Sequence, residues 1–207
     1  MSQTILGFDT ATPDTVVALA SGGAEPLELR HAPAPGERPG HASQLLPLAR
    51  ALLDRAGLRF ADLDRIGVGV GPGTFTGLRI GVATARALSQ GTGAELAAVS
   101  TLQALAAGAN HDGPVLAVLD ARRGEAFAAA YANGAQLLAP VAVKPEALAG
   151  LVAGRPEPPE AWLAVGDGAL AFRDQLEPAD GDSAHAVRGV AVHRDRDGRR
   201  LQLSPKC

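Results

Sequence analysis

Cysteine is nearly absent: the 207 residues hold one, Cys207. A lone thiol can form no internal disulfide and supply no cysteine cluster for zinc, which points to a reducing compartment. Aromatic residues make up only 3% of the chain, so small aliphatic side chains, mainly Ala, Val and Leu, must fill its core. No apolar run approaches the roughly 18 to 20 residues that span a bilayer. The opening MSQTILGFD lacks the basic, apolar and cleavage regions of a signal peptide in their order. The expected location is the cytoplasm, with no membrane partner. The formal net charge is −3, so no global positive field draws the chain to nucleic acid or anionic lipid.

Several chemical signatures are missing too. The five histidines are His31, His41, His111, His185 and His193; no pair stands at i, i+4, and His-Glu-x-x-His does not occur. No Gly-x-Ser-x-Gly nucleophile elbow is present. The glycine-rich stretches complete neither a Walker A loop, for want of a following Lys-Ser/Thr, nor a Gly-x-Gly-x-x-Gly dinucleotide fingerprint. A zinc peptidase of the His-Glu-x-x-His type is thereby excluded, and no catalytic metal is expected on this chain.

What remains is a regular alternation of elements. Three short β-like runs, Thr4 to Asp9, Thr15 to Ala20 and Glu25 to Arg30, are separated by the turn residues Thr12-Pro13-Asp14 and Ser21-Gly22-Gly23. Tight turns with no helix between strands predict an antiparallel meander. A Pro/Gly-rich loop follows, then Ala42, Leu45, Leu46, Ala49, Leu52, Leu53 and Ala56 recur at helical spacing up to Gly57, which predicts a helix over about 41–57. The run Ile66 to Gly71 alternates apolar residues with glycine, and a second helix is expected over about 77–90. After a strand at Glu95 to Val99 and a helix capped by Ser100 or Thr101, the pattern resets. Strands are expected from Val115 to Asp120, to Tyr131 and to Val143, with Asn133-Gly134 as a hairpin turn. Pro145 starts a short helix, and Trp162 to Val165 reads as a strand. The expectation is an α/β protein of two lobes, 1–100 and 101–177, alike in pattern but with no close internal repeat in sequence.

Residues 178–207 break that pattern. From Arg188 onward Arg188, Arg194, Arg196, Arg199, Arg200 and Lys206 stand against Asp195 and Asp197, with no apolar periodicity. A disordered or aberrant tail is expected.

Three places could carry chemistry. The loop Gly71 to Gly77 joins a buried strand to a helix, where backbone N–H groups can hold an anion; Gly71, Gly73 and Thr74 would be its contacts. The competing and favoured reading is close packing, because Gly77, Gly81 and Ala85 lie four apart and make one smooth stripe. Asp9 ends the first strand beside Thr10 and Thr12, where it can serve a nucleotide's metal or simply build a turn, the commoner role. The turn Asp120-Ala-Arg-Arg-Gly-Glu125 gathers four charges, either as a binding site or, the favoured reading, as a solvated hairpin tip.

The blocks Ile5-Leu-Gly-Phe-Asp-Thr-Ala-Thr12, His41-Ala-Ser-Gln-Leu-Leu-Pro47, Gly69-Val-Gly-Pro-Gly-Thr-Phe-Thr-Gly-Leu-Arg-Ile-Gly-Val-Ala-Thr-Ala-Arg86, Val99-Ser-Thr-Leu-Gln-Ala-Leu105 and Asp120 to Glu125, in this order, resemble the bacterial TsaB (YeaZ) family over roughly residues 3 to 175. That resemblance implies the actin-like ATPase (ribonuclease H-like) superfold and a non-catalytic paralogue of TsaD. It implies a scaffold subunit for putting threonylcarbamoyl on N6 of adenosine 37 in tRNAs reading codons that begin with A. The implied partners are TsaD, the small ATPase TsaE and a second copy of the chain, with tRNA met only through the complex. ATP and a metal are expected on those partners, and no cofactor on this chain. TsaD carries His-x-x-x-His on its first helix; here His41 stands at the first position and Leu45 at the second, so half the pair is missing and catalysis by this chain is not expected.

Pairing is expected through the two helices, by Leu45, Leu48, Leu52, Gly77, Leu78, Gly81 and Ala85, so that Leu45→Asp or Gly81→Glu would abolish it without harming the fold. The family usually continues past Gly166-Asp-Gly168 into a further helix and ends near a Tyr-x-Arg motif. Either the C-terminus has diverged or the reading frame shifts after about residue 177, the shift being the favoured reading of the different tail. The rival readings are a glycoprotease-like metallopeptidase and a stand-alone nucleotide-binding module using Asp9 and the Gly71 to Gly77 loop.

Overall fold

Residues 3–34, 36–153, 155 and 162–176 are described by the computed structural model, together with the backbone of 190–191. The expectation for residues 178–207 therefore lies outside the described residues, apart from the strand at Val190–Ala191. The chain divides into two compact units, 1–101 and 102–207.

Unit 1 opens with the meander β1 (Ile5–Asp9), β2 (Thr15–Ala20) and β3 (Leu27–His31). The third strand begins two residues later than Glu25 because Pro26 has no N–H to give to a ladder. Helix α1 (His41–Ala56) ends on Gly57, which takes the left-handed conformation at φ 68°. Strand β4 (Arg65–Gly69), helix α2 (Phe75–Thr92) and strand β5 (Glu95–Val99) complete the sheet in the order β3-β2-β1-β4-β5, with β4 parallel to both β1 and β5. Helix α2 starts two residues before the expected Gly77, because the Thr74 hydroxyl caps it by accepting from the Gly77 N–H at 3.3 Å.

Both helices lie on one face of this sheet. Register puts Leu6 opposite Leu19 and Ile66, and Phe8 opposite Val17 and Val68. Those side chains form one core with Leu45, Ala49, Leu52 and Leu53 of α1 and Ala85 of α2. Each large aliphatic residue buried there contributes about 1.5–3 kcal/mol.

Unit 2 repeats the plan. Strands β6 (Val115–Asp120), β7 (Ala126–Ala132) and β8 (Ala135–Val143) form a meander, and β9 (Leu163–Val165) and β10 (Val190–Ala191) add in parallel beyond β6. The order β8-β7-β6-β9-β10 reproduces that of unit 1 strand for strand, parallel where it is parallel and antiparallel where it is antiparallel. Helix α3 (Thr101–Gly108) packs Leu102 and Ala106 on one face of this sheet, and Trp162, Leu148, Val152 and Leu176 cover the other. That double cover explains why Val115 to Leu119 is buried at every position. The short helix expected at Pro145 resolves into two 3-10 turns, Pro145–Ala147 and Ala149–Leu151. Two short helices, α4 (Asp167–Ala171) and α5 (Arg173–Leu176), follow β9. No helix among the described residues is long and apolar enough to cross a membrane.

The helices expected to pair are present, but most of the residues chosen on them face inward. Leu45 is 2% exposed, Leu52 0% and Ala85 1%, and Gly77 and Gly81 are also buried. Leu48 is half-buried against the same core. An apolar stripe at helical spacing marks whichever face is driest, and here that face is the one on the helices' own sheet. Leu45→Asp and Gly81→Glu would therefore strike the fold, which corrects the expectation that they would spare it. The outward ridge carries other residues: Leu46 at 46% exposure and Phe75 at 70%.

Candidate functional site

The end of β1, the loop from β4 to α2 and the start of α3 meet at Asp9. One carboxylate oxygen accepts the Ala11 N–H at 2.6 Å and the other accepts the Thr101 hydroxyl at 2.7 Å. Burial pushes the Asp9 carboxyl above its ordinary value; the Thr101 and Ala11 hydrogen bonds, and then the nearby His41, oppose that rise. Gly69 lies directly against this carboxylate, so a methyl group there would overlap it. The turn chemistry proposed for Asp9 is thus present, and both of its oxygens already have donors.

The glycines of the loop bring α2 onto the turn after β1. The Thr74 N–H donates to the Ala11 carbonyl at 2.7 Å, and the Thr10 hydroxyl donates to the Gly77 carbonyl at 2.8 Å. Side chains at Gly73 or Gly77 would collide with the carbonyls of Ala11 and Thr10. Gly71 sits at φ 96° before a cis peptide to Pro72, beneath the Leu78 side chain. Asp9, Thr10, Gly71, Gly73 and Thr74 are therefore brought together; close backbone approach accounts for Gly73 and Gly77, and the positive φ for Gly71.

His41 opens α1 and is 3% exposed. Its Nδ1 shares a 2.9 Å hydrogen bond with the Thr15 hydroxyl, while its Nε2 is buried without a partner among the described residues, as is Nδ1 of His31. Burial holds the His41 imidazole below its ordinary value, Asp14 and Asp9 pull it back up, and His31 lowers it further. Leu45, one helical turn beyond His41, offers no donor and lies in the core. No group of three or more metal-ligating side chains occurs among the described residues.

In unit 2 the turn at Asp120 reproduces the Asp9 turn. The Arg122 N–H donates to an Asp120 carboxylate oxygen at 2.8 Å, two residues on, just as Ala11 does to Asp9. Arg122 takes the left-handed conformation at φ 69°. The Asp120 N–H donates to Asp167 at 3.2 Å. Burial raises the Asp167 carboxyl, hydrogen bonds from the Asp120 and Gly168 N–H groups lower it, Asp120 adds a smaller rise and Arg122 a smaller fall. Arg122, Arg123, Gly124 and Glu125 are exposed, which is the solvated tip that was favoured.

Sequence reasoning missed Thr101, whose hydroxyl serves Asp9 from 92 residues away; no local pattern announces such a bond. It also missed Phe75 and Arg79, whose guanidinium lies 4.4 Å over the Phe75 ring. A phenylalanine one residue after a threonine cap, outside the apolar stripe, was the available signal.

Comparison with known proteins gives one direction. Residues 37–179 match the family model of TsaD, tRNA N6-adenosine threonylcarbamoyltransferase. The chain is 37% identical over 130 residues to the tRNA threonylcarbamoyladenosine biosynthesis protein TsaB of Escherichia coli, covering 61% of this chain and 54% of that protein. It is 38% identical over 138 residues to an uncharacterised protein of Mycobacterium tuberculosis, covering 67% of this chain and 64% of the relative. The chain thus spans between about half and two thirds of the length of these relatives. Among solved structures, YeaZ from Pseudomonas aeruginosa superposes with a TM-score of 0.73 at 27% identity, over 93% of this chain and 85% of that one. The duplicated sheet is that of the actin-like ATPase fold.

Proposed function

We propose that this chain, which belongs to the TsaD family of tRNA N6-adenosine threonylcarbamoyltransferases, acts as a TsaB-type partner subunit in forming threonylcarbamoyladenosine in tRNA, and not as the transferase. The observation that carries this reading is the 37% identity over 130 residues with the tRNA threonylcarbamoyladenosine biosynthesis protein TsaB of Escherichia coli. Leu45, four residues after His41, is sealed in the core at 2% exposure, in keeping with a subunit that supports a transferase rather than acting as one.

The support it offers is a surface. The outward faces of α1 and α2 expose Leu46 and Phe75 respectively, on helices fixed from behind by the sheet. Large apolar side chains left exposed in this way are what an interface would cover. Of the residues first expected there, Leu78 is half-buried beneath this face and Leu48 packs inward. The proposed partners are a TsaD-type transferase, which would hold the metal and ATP, and a TsaE-type ATPase. Self-pairing through the same face is its alternative use, and tRNA is met only through the assembly.

The test is light scattering on size-exclusion chromatography, with this chain alone and mixed with the TsaD protein of the same genome. The expected result is a one-to-one complex that Phe75→Asp disperses. Reconstituted modification of tRNA should require both chains. Threonylcarbamoyl transfer by this chain alone, or stoichiometric iron or zinc in the purified protein, would overturn the assignment.

A further inference from the structure

The chain leaves helix α3 at Gly108 and enters β6 at Val115, with Asn110, left-handed at φ 47°, making the turn between them. Val115 stands opposite Tyr131 in the register of β6 and β7, and both lie in the core under α3. Between the end of the helix, this turn and the β7–β8 hairpin is a cavity of about 270 Å³, near the roughly 300 Å³ at which small-molecule sites begin. Val115 and Tyr131 are its buried floor, and Gln103, Asn110, Asp112 and Asn133 its exposed rim. His111 lines it as well; no lysine or arginine does among the described residues. The cavity lies wholly within unit 2.

Tyr131 is only 5% exposed, and its hydroxyl is buried with no hydrogen-bond partner among the described residues. Such a group destabilises a fold unless something else satisfies it. The β7–β8 pairing is irregular between Ala128 and Tyr131, and bulges of that kind re-aim side chains beside sites. The charge is one-sided. Asp112 has no hydrogen bond or ion pair among the described residues. Helix α3 brings the negative end of its dipole to the cavity, with no basic residue in its last turn to offset it. We propose that the cavity binds a small organic cation, an alkylguanidinium or alkylammonium group. The charge sits between Asp112 and the end of α3, the methylene stem lies on Val115 and the Tyr131 ring, and an N–H donates to the Tyr131 hydroxyl oxygen. Guanidinium and ammonium groups are donors only, which suits a rim of carboxylate and amide oxygens; an anion would meet charge of its own sign.

Tyr131 is the only tyrosine of the chain, so ring-labelled tyrosine gives one set of NMR signals that reports on the cavity alone. Full-length protein is titrated with n-butylguanidinium and n-butylammonium, and with butyrate and n-butanol as controls. The two cations should shift the Tyr131 signals saturably with a Kd below about 10 mM, and butyrate and butanol should not. Asp112→Asn, an exposed change, should weaken binding about three- to tenfold. Tyr131→Phe removes a hydroxyl that the fold leaves unpaired, so its urea midpoint should equal or exceed the parent's while calorimetry shows weaker cation binding. The tripeptide Gly-Arg-Gly identifies the source: tighter binding than butylguanidinium means a basic side chain of another protein, and weaker binding a free metabolite. No saturable shift with either cation, the cavity holding water only, overturns the proposal; so does butyrate binding as tightly, or an affinity unchanged in Asp112→Asn.

Discussion

Gly69→Ala and Gly67→Ala make the same chemical change two residues apart on β4, and they should have opposite consequences. At Gly67 an added methyl would meet only the Gly7 Cα at 3.8 Å and a Val99 methyl at 4.0 Å, ordinary contact distances. Replacing a strand glycine there should stabilise by about 0.5–1 kcal/mol, through reduced freedom of the unfolded chain. At Gly69 the methyl would occupy the space of the Asp9 carboxylate. The carboxylate must leave, and with it go the bonds from Ala11 and Thr101. Two hydrogen bonds to a charged group are worth roughly 1.5–3 kcal/mol each, so a loss of about 3–6 kcal/mol is expected, a large share of a typical stability of about 5–15 kcal/mol. Urea denaturation followed by circular dichroism should show the midpoint lowered by about 1.5–3 M for Gly69→Ala, at a slope near 2 kcal/mol/M. The only tryptophan, Trp162, sits in unit 2, so its emission reports on that unit separately. Midpoints for the two variants within about 0.5 M of each other, or about 1 kcal/mol at that slope, would refute the account of Asp9 as a carboxylate seated on a glycine.

Three further outcomes follow from the same geometry. Leu45→Asp, a charge forced into the core, should cost more than about 4 kcal/mol and yield little folded protein, whereas Leu46→Asp on the outer ridge should melt as the parent does; equal thermal midpoints would contradict the assignment of faces. Thr101→Val removes the hydroxyl that serves Asp9 and should cost about 1.5–3 kcal/mol in urea, a deficit that should shrink when Asp9→Asn is already present. His41 binds its proton less readily folded than unfolded, because its value is lowered by burial. Stability should therefore be fully present above the ordinary value of 6.5 and fall as pH drops below it towards the lowered folded value. Urea midpoints at a series of pH values from neutral downward should show this slope in the parent and not in His41→Gln; equal slopes would exclude His41 as its source.

How much of this could be read from the chain alone depended on how local each determinant is. The meanders were legible because Thr12-Pro13-Asp14, Ser21-Gly22-Gly23 and Asn133-Gly134 encode their turns within a few residues. Both helices of unit 1 were legible from their periodicity. Which side of them faces the sheet was not, since Leu45 and Leu46 are equally apolar and only β2 and β1 decide which is covered. Asp9 was legible as a turn residue, but its seating on Gly69 and its bond from Thr101 span the whole of unit 1. The duplication was visible as a pattern of elements and invisible as sequence identity. It becomes plain in the matching strand orders and in the matching turns at Asp9 and Asp120.

Helix α2 has two sides that answer to different constraints. Its inner stripe of Gly77, Gly81 and Ala85 has almost no side chains, so its backbone comes down onto Thr10, while Val82 and Leu88 flank the stripe and pack on the core. Substitutions on that side are filtered by folding. The outer ridge touches nothing that the fold requires, and mutations there are filtered only by whom the protein meets. A lineage can thus duplicate the gene, keep the inner stripe, and rewrite the ridge in each descendant without passing through an unfolded ancestor. Divergence between a scaffold and a catalyst built on one fold needs little more than that separation.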